Sequence, residues 1–258
     1  MLTWDDAPHL SPDTKAELLA AFPLNERDAR SKGVPQLGAG AIYPVPEADV
    51  VMQPIVFPAW YKRAYGLDVG WNCTAAVWGA LDPETDVLYV YSEHYRGQAE
   101  PAVHADAIRS RGAWIPGVID PAARGRGQHD GEQLYKQYTD PESCRLNLAL
   151  ADNAVEAGIY AVYSRLSSGR LKIFSTCVNL LEEYRIYRRD EKGKVVKMKD
   201  HALDALRYLV MSGIARAVPL PPDQWEGNLP VAAGRARHQV EFQPMGGMWD
   251  GKPDYAAG

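Results

Sequence analysis

Three strand-like segments follow one another with no helix between them, and this constrains the fold more than any other feature of the chain. They are "YKRAYGLDVG" (61–70), "CTAAVWGALD" (73–82) and "DVLYVYSEHYRG" (86–97), each apolar or alternating apolar with polar residues. The joins "GWN" and "ALDPETDV" carry turn residues, and the second suits a hairpin loop. After them, helices and strands alternate. "PAVHADAIRSRG" (101–112) reads as a helix closed by Gly112, and "WIPGVIDPAA" (114–123) as a strand stopped by Pro121. Helix "GEQLYKQYTD" (131–140), strand "RLNLALAD" (145–152) and helix "AVEAGIYAVYSRLSSG" (154–169) come next, then strand "RLKIFS" (170–175) and helix "VNLLEEYRIY" (178–187). "YRIYRRDEKGKVVKMK" (184–199) reads as a hairpin turning at "DEKG", and "KMKDHALDALRYLVMSG" (197–213) as a last amphipathic helix. This order predicts an α/β domain, a mixed β-sheet flanked by helices on both faces.

The flanks have a different character. Residues 1–58 are turn-rich, with a short helix "SPDTKAELLAAF" (11–22) capped by Ser11 and a second, "LNERDARSKG" (24–33). Residues 34–60 hold too many prolines and glycines for a helix and read as a connecting arm or a packing strap. From Val218 onward proline and glycine are again dense, which predicts a flexible tail. The expected division is therefore an arm at 1–58, a domain at 59–217 and a tail at 218–258. No apolar run is long enough for a bilayer and "MLTWDDAPHL" lacks a signal-peptide layout, so a cytoplasmic protein with no membrane partner is expected. The three cysteines, Cys73, Cys144 and Cys177, are too scattered for a disulfide framework or a zinc site. A net charge of −5 gives no overall attraction to nucleic acid. Only local basic stretches, at 170–199 and "ARGRG" (123–127), could reverse that.

Several aspartates sit where apolar residues are expected. Asp68 lies on the first strand among apolar neighbours, and Asp120 ends a buried-looking strand before Pro121. On the last helix Asp200, His201 and Asp204 share a face, because residues four apart lie about 40° round the axis. Asp200 can serve as the N-cap. Asp204, a turn further in, has no such use and is either a surface residue, a partner of Arg207 or Arg185, or a ligand. Carboxylates at buried strand ends are costly unless a cation neutralises them. Three on two strands and a late helix point to a shared divalent ion, and hard oxygen donors without cysteine suit Mg²⁺ or Mn²⁺. Two such ions roughly 3.5–4 Å apart can clamp a phosphodiester, one activating water and the other stabilising the leaving oxygen.

"GLDVG", "VIDPAA" and "DHALDALRY", in this order, resemble the nuclease domain of the large terminase subunits of tailed bacteriophages and prophages. The likeness runs from about Trp60 to Ala217 and takes in "NAVEAGIYAVYSRLSSGRLKIF" and "YRIYRRDEKGKVVK". It also takes in "RDARSKGVPQLGAGAIYPV", upstream of that stretch. The resemblance implies an RNase H-like (RuvC-like) fold and two-metal cutting of double-stranded concatemeric DNA in the bacterial host, alongside a portal protein and a small terminase subunit. It matches Asp68, Asp120 and Asp204 to metal-binding aspartates, His201 to a histidine beside the metals, and Asp200, more loosely, to the same motif. Such subunits also carry a packaging ATPase. Here no "GxxxxGK[ST]" stretch occurs and "GRGQHDG" (125–131) is not a phosphate-cradling loop, so residues 1–58 resemble the end of that ATPase and its linker. The chain is then an excised domain or the product of a truncated or split gene. A RuvC-like junction resolvase and a non-cutting docking module of the packaging motor are the alternatives.

For contact with the duplex backbone, the hairpin residues Arg188, Arg189, Lys194, Lys197 and Lys199 are the first choice, with Arg124 and Arg126 beside Asp120 next. Other polar residues have structural readings. Glu93 and His94 close the third strand and either reach the site or, as is commoner for a strand-end Glu, leave Glu93 in solvent, and Asp152 is an outer ligand or the cap of the next helix. His104 and His129 are expected at the surface, Trp71 and Trp78 in the core, and Tyr208 beneath the last helix.

Overall fold

The computed structural model describes residues 11, 13–15, 17, 40–124 and 131–224. Seven strands form one sheet: β1 (Val51–Met52), β2 (Lys62–Asp68), β3 (Thr74–Leu81), β4 (Leu88–Arg96), β5 (Gly117–Ile119), β6 (Leu148–Leu150) and β7 (Leu171–Phe174). Their order across the sheet is β1-β7-β4-β3-β2-β5-β6. The three consecutive strands of the sequence reading form the antiparallel centre, β2 on β3 and β3 on β4. The three later strands and the earlier β1 add in parallel, β5 and β6 beyond β2 on one side, β7 and then β1 beyond β4 on the other. The mixed sheet expected from the sequence is thus the sheet observed.

Helices cover both faces. Among the described residues from 40 onward the α-helices are α1 (Glu47–Val50), α2 (Pro101–Arg109), α3 (Gly131–Thr139), α4 (Val155–Ser167), α5 (Val178–Ile186) and α6 (His201–Tyr208). One core joins Ala64, Val77, Val90 and Ile173 of the sheet to Val162 of α4, Leu180 of α5 and Leu206 of α6. On the opposite face Tyr65, Leu67 and Trp78 pack against Ala105 and Ile108 of α2 and Tyr138 near the end of α3. Burial on both faces explains why β2 and β3 read as nearly unbroken apolar runs.

α6 lies unusually close to the sheet. A Cβ on Gly66 would fall 2.0 Å from the carbonyl oxygen of Ala205, so only glycine lets the helix backbone rest on β2. The expected helix over 197–213 begins later, at His201, and changes winding at Leu209. There it widens to a π-turn (Leu209–Gly213) and then tightens to a 3₁₀ turn (Ile214–Arg216), beside the close contact of Leu209 with Gly66.

The flanks join this body. Ser11 Oγ accepts the Thr14 N–H at 3.1 Å, the cap bond expected of it. Residues 24–33 lie outside the described residues. Part of 34–60 acts as the strap of the two readings: β1 pairs with β7, and Tyr43, Val50 and Phe57 are buried in the core. At the other end Val218 exchanges backbone hydrogen bonds with Arg63, and Leu220 N–H donates to the Ala59 carbonyl, while 225–258 lie outside the described residues. The hairpin at "DEKG" is present as a short antiparallel contact of Arg189 with Val195. Asp190 Oδ1 accepts the N–H groups of Lys192 and Lys194 across its turn. No helix among the described residues is long and apolar enough to cross a membrane.

Candidate active site

The parallel register of β2, β5 and β6 sets the acids side by side. Leu67 is level with Ile119 and Ile119 with Leu150, so Asp68 and Asp120 leave adjacent strand ends at the same height. Parallel strands lie about 4.8 Å apart and level residues point to the same face, here the face covered by α6. Asp120 N–H donates to the Leu67 carbonyl at 3.2 Å. The Asp120 carboxylate closes a turn by accepting the Ala122 N–H at 2.9 Å.

α6 brings the other residues. His201 Nδ1 lies 2.9 Å from Asp68 Oδ2 and donates to it. Burial pushes the Asp68 carboxyl up, the His201 hydrogen bond pulls it back, and the charges of Asp204 and Asp120 push it up again. The same bond raises His201 against the opposing effect of its burial. Asp204 is held by two cations: Arg207 Nη2 at 3.0 Å from Oδ1 and Lys197 Nζ at 3.3 Å from Oδ2. Asn153, just past β6, joins the group. Its Nδ2 donates to Asp120 Oδ1 at 3.3 Å, while its Oδ1 accepts Arg207 Nη1 at 3.0 Å and the Tyr208 hydroxyl at 3.4 Å. Asp68, Asp120 and Asp204 therefore belong to one electrostatic cluster, as their effects on the Asp68 and Tyr208 side chains also record.

The donor set has the chemistry of a hard-cation site, oxygen ligands without sulfur. In this structure the protein's own cations neutralise much of it, and among the described residues no three acidic, histidine or cysteine side chains close on a single point. Of the three readings of Asp204, that of a partner of Arg207 is seen directly.

The expected cap is corrected. Asp200 stands at the N-cap position of α6, but its side chain makes no cap bond and turns to Lys197 Nζ at 2.9 Å. Glu183 of α5 caps instead, Oε2 accepting the Leu203 N–H at 2.9 Å and Oε1 the Tyr95 hydroxyl at 2.9 Å. Burial pushes its carboxyl up to about 7. Glu93, likewise, neither reaches the site nor faces solvent: Oε1 accepts the Asn179 N–H and Oε2 the Leu180 N–H, capping α5. Asp152 makes its bond to the Ala154 N–H, a turn just ahead of α4.

His104 is buried, not at the surface, and pairs with His94 Nε2 at 2.9 Å. Trp78 is core as expected, but Trp71 is 64% exposed, on the turn where no strand periodicity holds it inward. It stands with Asp120, His104 and Gln137 around a cleft of about 540 Å³. Tyr208 is buried under the Arg207 guanidinium, 4.6 Å from its ring centre.

The basic residues divide. Arg188 and Lys194 are exposed on the hairpin. Arg189 is committed to Glu156 through both guanidinium contacts, at 3.0 and 2.6 Å, and Lys197 to the acids. Lys199 stands 4.0 Å from Glu182. The Arg124 side chain, Arg126 and His129 lie outside the described residues.

Comparison with known proteins gives a consistent picture. The family model described as "Terminase RNaseH-like domain" matches residues 65–212. The chain is 35% identical over 215 residues to the large terminase subunit of Enterobacteria phage LP7, covering 80% of this chain but 45% of that one. The chain thus spans less than half the length of that curated relative. Among solved structures, the P22 large terminase nuclease domain superposes with a TM-score of 0.64 at 31% identity, over 73% of this chain and 98% of its own. The nuclease domain of the large terminase g2p from bacteriophage SPP1, solved with bound Mn, shares the fold, with a TM-score of 0.50 at 16% identity over 64% and 96% of the two chains.

Proposed function

This chain belongs to the terminase RNaseH-like domain family, and from that membership we propose that it is a divalent-metal-dependent DNA endonuclease. Its substrate would be double-stranded concatemeric DNA, cut in the bacterial host cytoplasm during phage genome packaging, in company with a portal protein and a small terminase subunit. Membership of this family weighs against the junction-resolvase reading, which rests on fold alone.

The observation that carries the proposal is the level placement of Asp68 and Asp120 on adjacent strand ends, with Asp204 laid over them by α6. These three carboxylates would hold the ions, with Asp200 beside them; the Mn in the SPP1 domain of like fold is in keeping with that. When bound, a pair of Mg²⁺ or Mn²⁺ ions would supply Lewis-acid activation of water and of the scissile phosphate. The chain's own residues do the rest. His201 fixes the rotamer of Asp68 through its hydrogen bond, and Asn153 spans Asp120 and Arg207, keeping the acids in register. Arg188 and Lys194, exposed on the hairpin, would meet the duplex backbone, where phosphate contacts give affinity without sequence reading.

A second reading is favoured by one observation: Asp204 is already held by Arg207 and Lys197. On that reading the domain docks within the packaging motor without cutting. Nicking of supercoiled plasmid in Mn²⁺ separates the two. Conversion to open-circle and linear forms, lost in Asp120→Asn, supports the nuclease; intact plasmid at all metal concentrations supports the docking module.

A further inference from the structure

The ammonium of Lys197 sits between two carboxylates, 2.9 Å from Asp200 Oδ2 and 3.3 Å from Asp204 Oδ2. Both acids are well enclosed, with side chains 11% and 13% exposed, whereas that of Lys197 is 62% exposed. The other cation on Asp204 is of a different kind. Arg207 is 2% exposed, shares Asn153 with Asp120, and lies on the Tyr208 ring. Taking Arg207 away would strand a buried charge. Lys197 instead reaches the acids from the solvent side, so its ammonium can withdraw into water, although the Asp200 Oδ2 it touches is enclosed.

The position of Lys197 in the chain fits this difference. It lies between the hairpin contact at Val195 and the start of α6 at His201, outside both elements. Its long stem can therefore swing without moving the strands or the helix that carry the acids. A divalent ion arriving at Asp204 would meet the ammonium as a like charge a few ångströms away, and like charges at that range repel.

We propose that Lys197 is a built-in stand-in for a divalent cation: its ammonium and the ion compete for the same oxygens of Asp200 and Asp204, and entry of the ion releases the lysine. The proposal rests on the acid cluster being the metal site. It makes Lys197 a gate on metal loading, distinct from Arg207, which stays in place. It also accounts for Asp200, whose carboxylate forgoes the helix cap and faces the lysine instead.

The test is Mn²⁺ binding to the full chain without DNA, by calorimetry and by loss of the electron-paramagnetic signal of free Mn²⁺. Wild type is compared with Lys197→Met, Lys197→Arg and Lys192→Met, the last removing an exposed hairpin charge that does not touch the acids. Lys197→Met is expected to bind the weaker ion roughly fivefold to tenfold more tightly than wild type. Lys192→Met and Lys197→Arg should stay close to wild type. Equal or weaker binding by Lys197→Met overturns the proposal while leaving the metal site standing. Equal tightening by Lys197→Arg or Lys192→Met overturns it as well, since the local charge would not be the cause. If none of the four proteins binds Mn²⁺, the metal-site reading fails and the proposal with it.

Discussion

Glu183 Oε2 accepts the backbone N–H of Leu203 at 2.9 Å, so a carboxylate on α5 caps the helix that carries His201 and Asp204. Burial raises that carboxyl to about 7. An acid whose folded pKa lies above its unfolded value of about 4.3 binds more protons when folded between those pH values. Stability therefore falls as pH rises from about 4.5 towards about 7, by roughly 3 kcal/mol in all, and then levels. Glu183→Gln keeps an acceptor for Leu203 and removes the titration. Thermal melts in chelator at pH 5, 6, 7 and 8 should show wild type losing ground to the variant through this window. Parallel curves would contradict the assignment.

Arg207 is the buried cation of the site, and Gly158 makes room for its stem: a Cβ there would fall 2.4 Å from Arg207 Cγ. Removing one partner of a buried pair leaves the other charge uncompensated, at a cost of about 3–5 kcal/mol. Arg207→Met should destabilise by about that amount in urea titrations. Arg207→Met combined with Asp204→Asn should cost clearly less than the sum of the two changes, because neither charge is then stranded. Additive losses would mean that Arg207 acts only through packing.

His201 is proposed to act through Asp68, its hydrogen-bond partner at 2.9 Å. Loss of a group that orients a metal ligand typically costs about ten- to hundredfold in affinity or activity. Plasmid nicking by His201→Ala should fall by that factor but remain measurable, whereas Asp68→Asn should abolish it. A His201→Ala rate equal to wild type would make the 2.9 Å contact incidental.

The parts of this site that were legible in the sequence are those whose meaning is local. Asp68 and Asp120 stand out because each ends an apolar strand, and the parallel register then sets them level. The succession of strands from β2 to β7 along the chain followed from turn residues and alternation, since both are read within ten residues or so, whereas the order across the sheet did not. Asn153 and Glu183 were missed, as was the contact of Arg207 with Asn153, because the partners come from other elements: Arg207 meets Asn153 across 54 positions, and Glu183 meets Leu203 across 20. Nothing in "DNAVEAG" marks Asn153 as a bridge. His104 did carry a signal, sharing the buried face of α2 with Ile108 four residues on, and a histidine there belongs inside. Trp71, on a turn, offered no period from which to judge its exposure.

Arg188 and Lys194 are among the exposed cations of the hairpin, while Arg189 is tied to Glu156. Each phosphate contact contributes about 0.9 to the slope of log affinity against log salt. Arg188→Ala with Lys194→Ala should lower that slope by roughly two for duplex DNA, measured by fluorescence anisotropy in Ca²⁺. Arg189→Ala should leave it nearly unchanged. An unchanged slope in the double variant would place the duplex on another face.

On the proposed function, Asp68, Asp120 and Asp204 share divalent ions. Anomalous diffraction from crystals soaked in Mn²⁺ tests it most directly. Two peaks roughly 3.5–4 Å apart are expected among these carboxylates, with Lys197 turned away. Manganese bound only elsewhere on the chain, with Asp204 still held by Lys197 and Arg207, would contradict it.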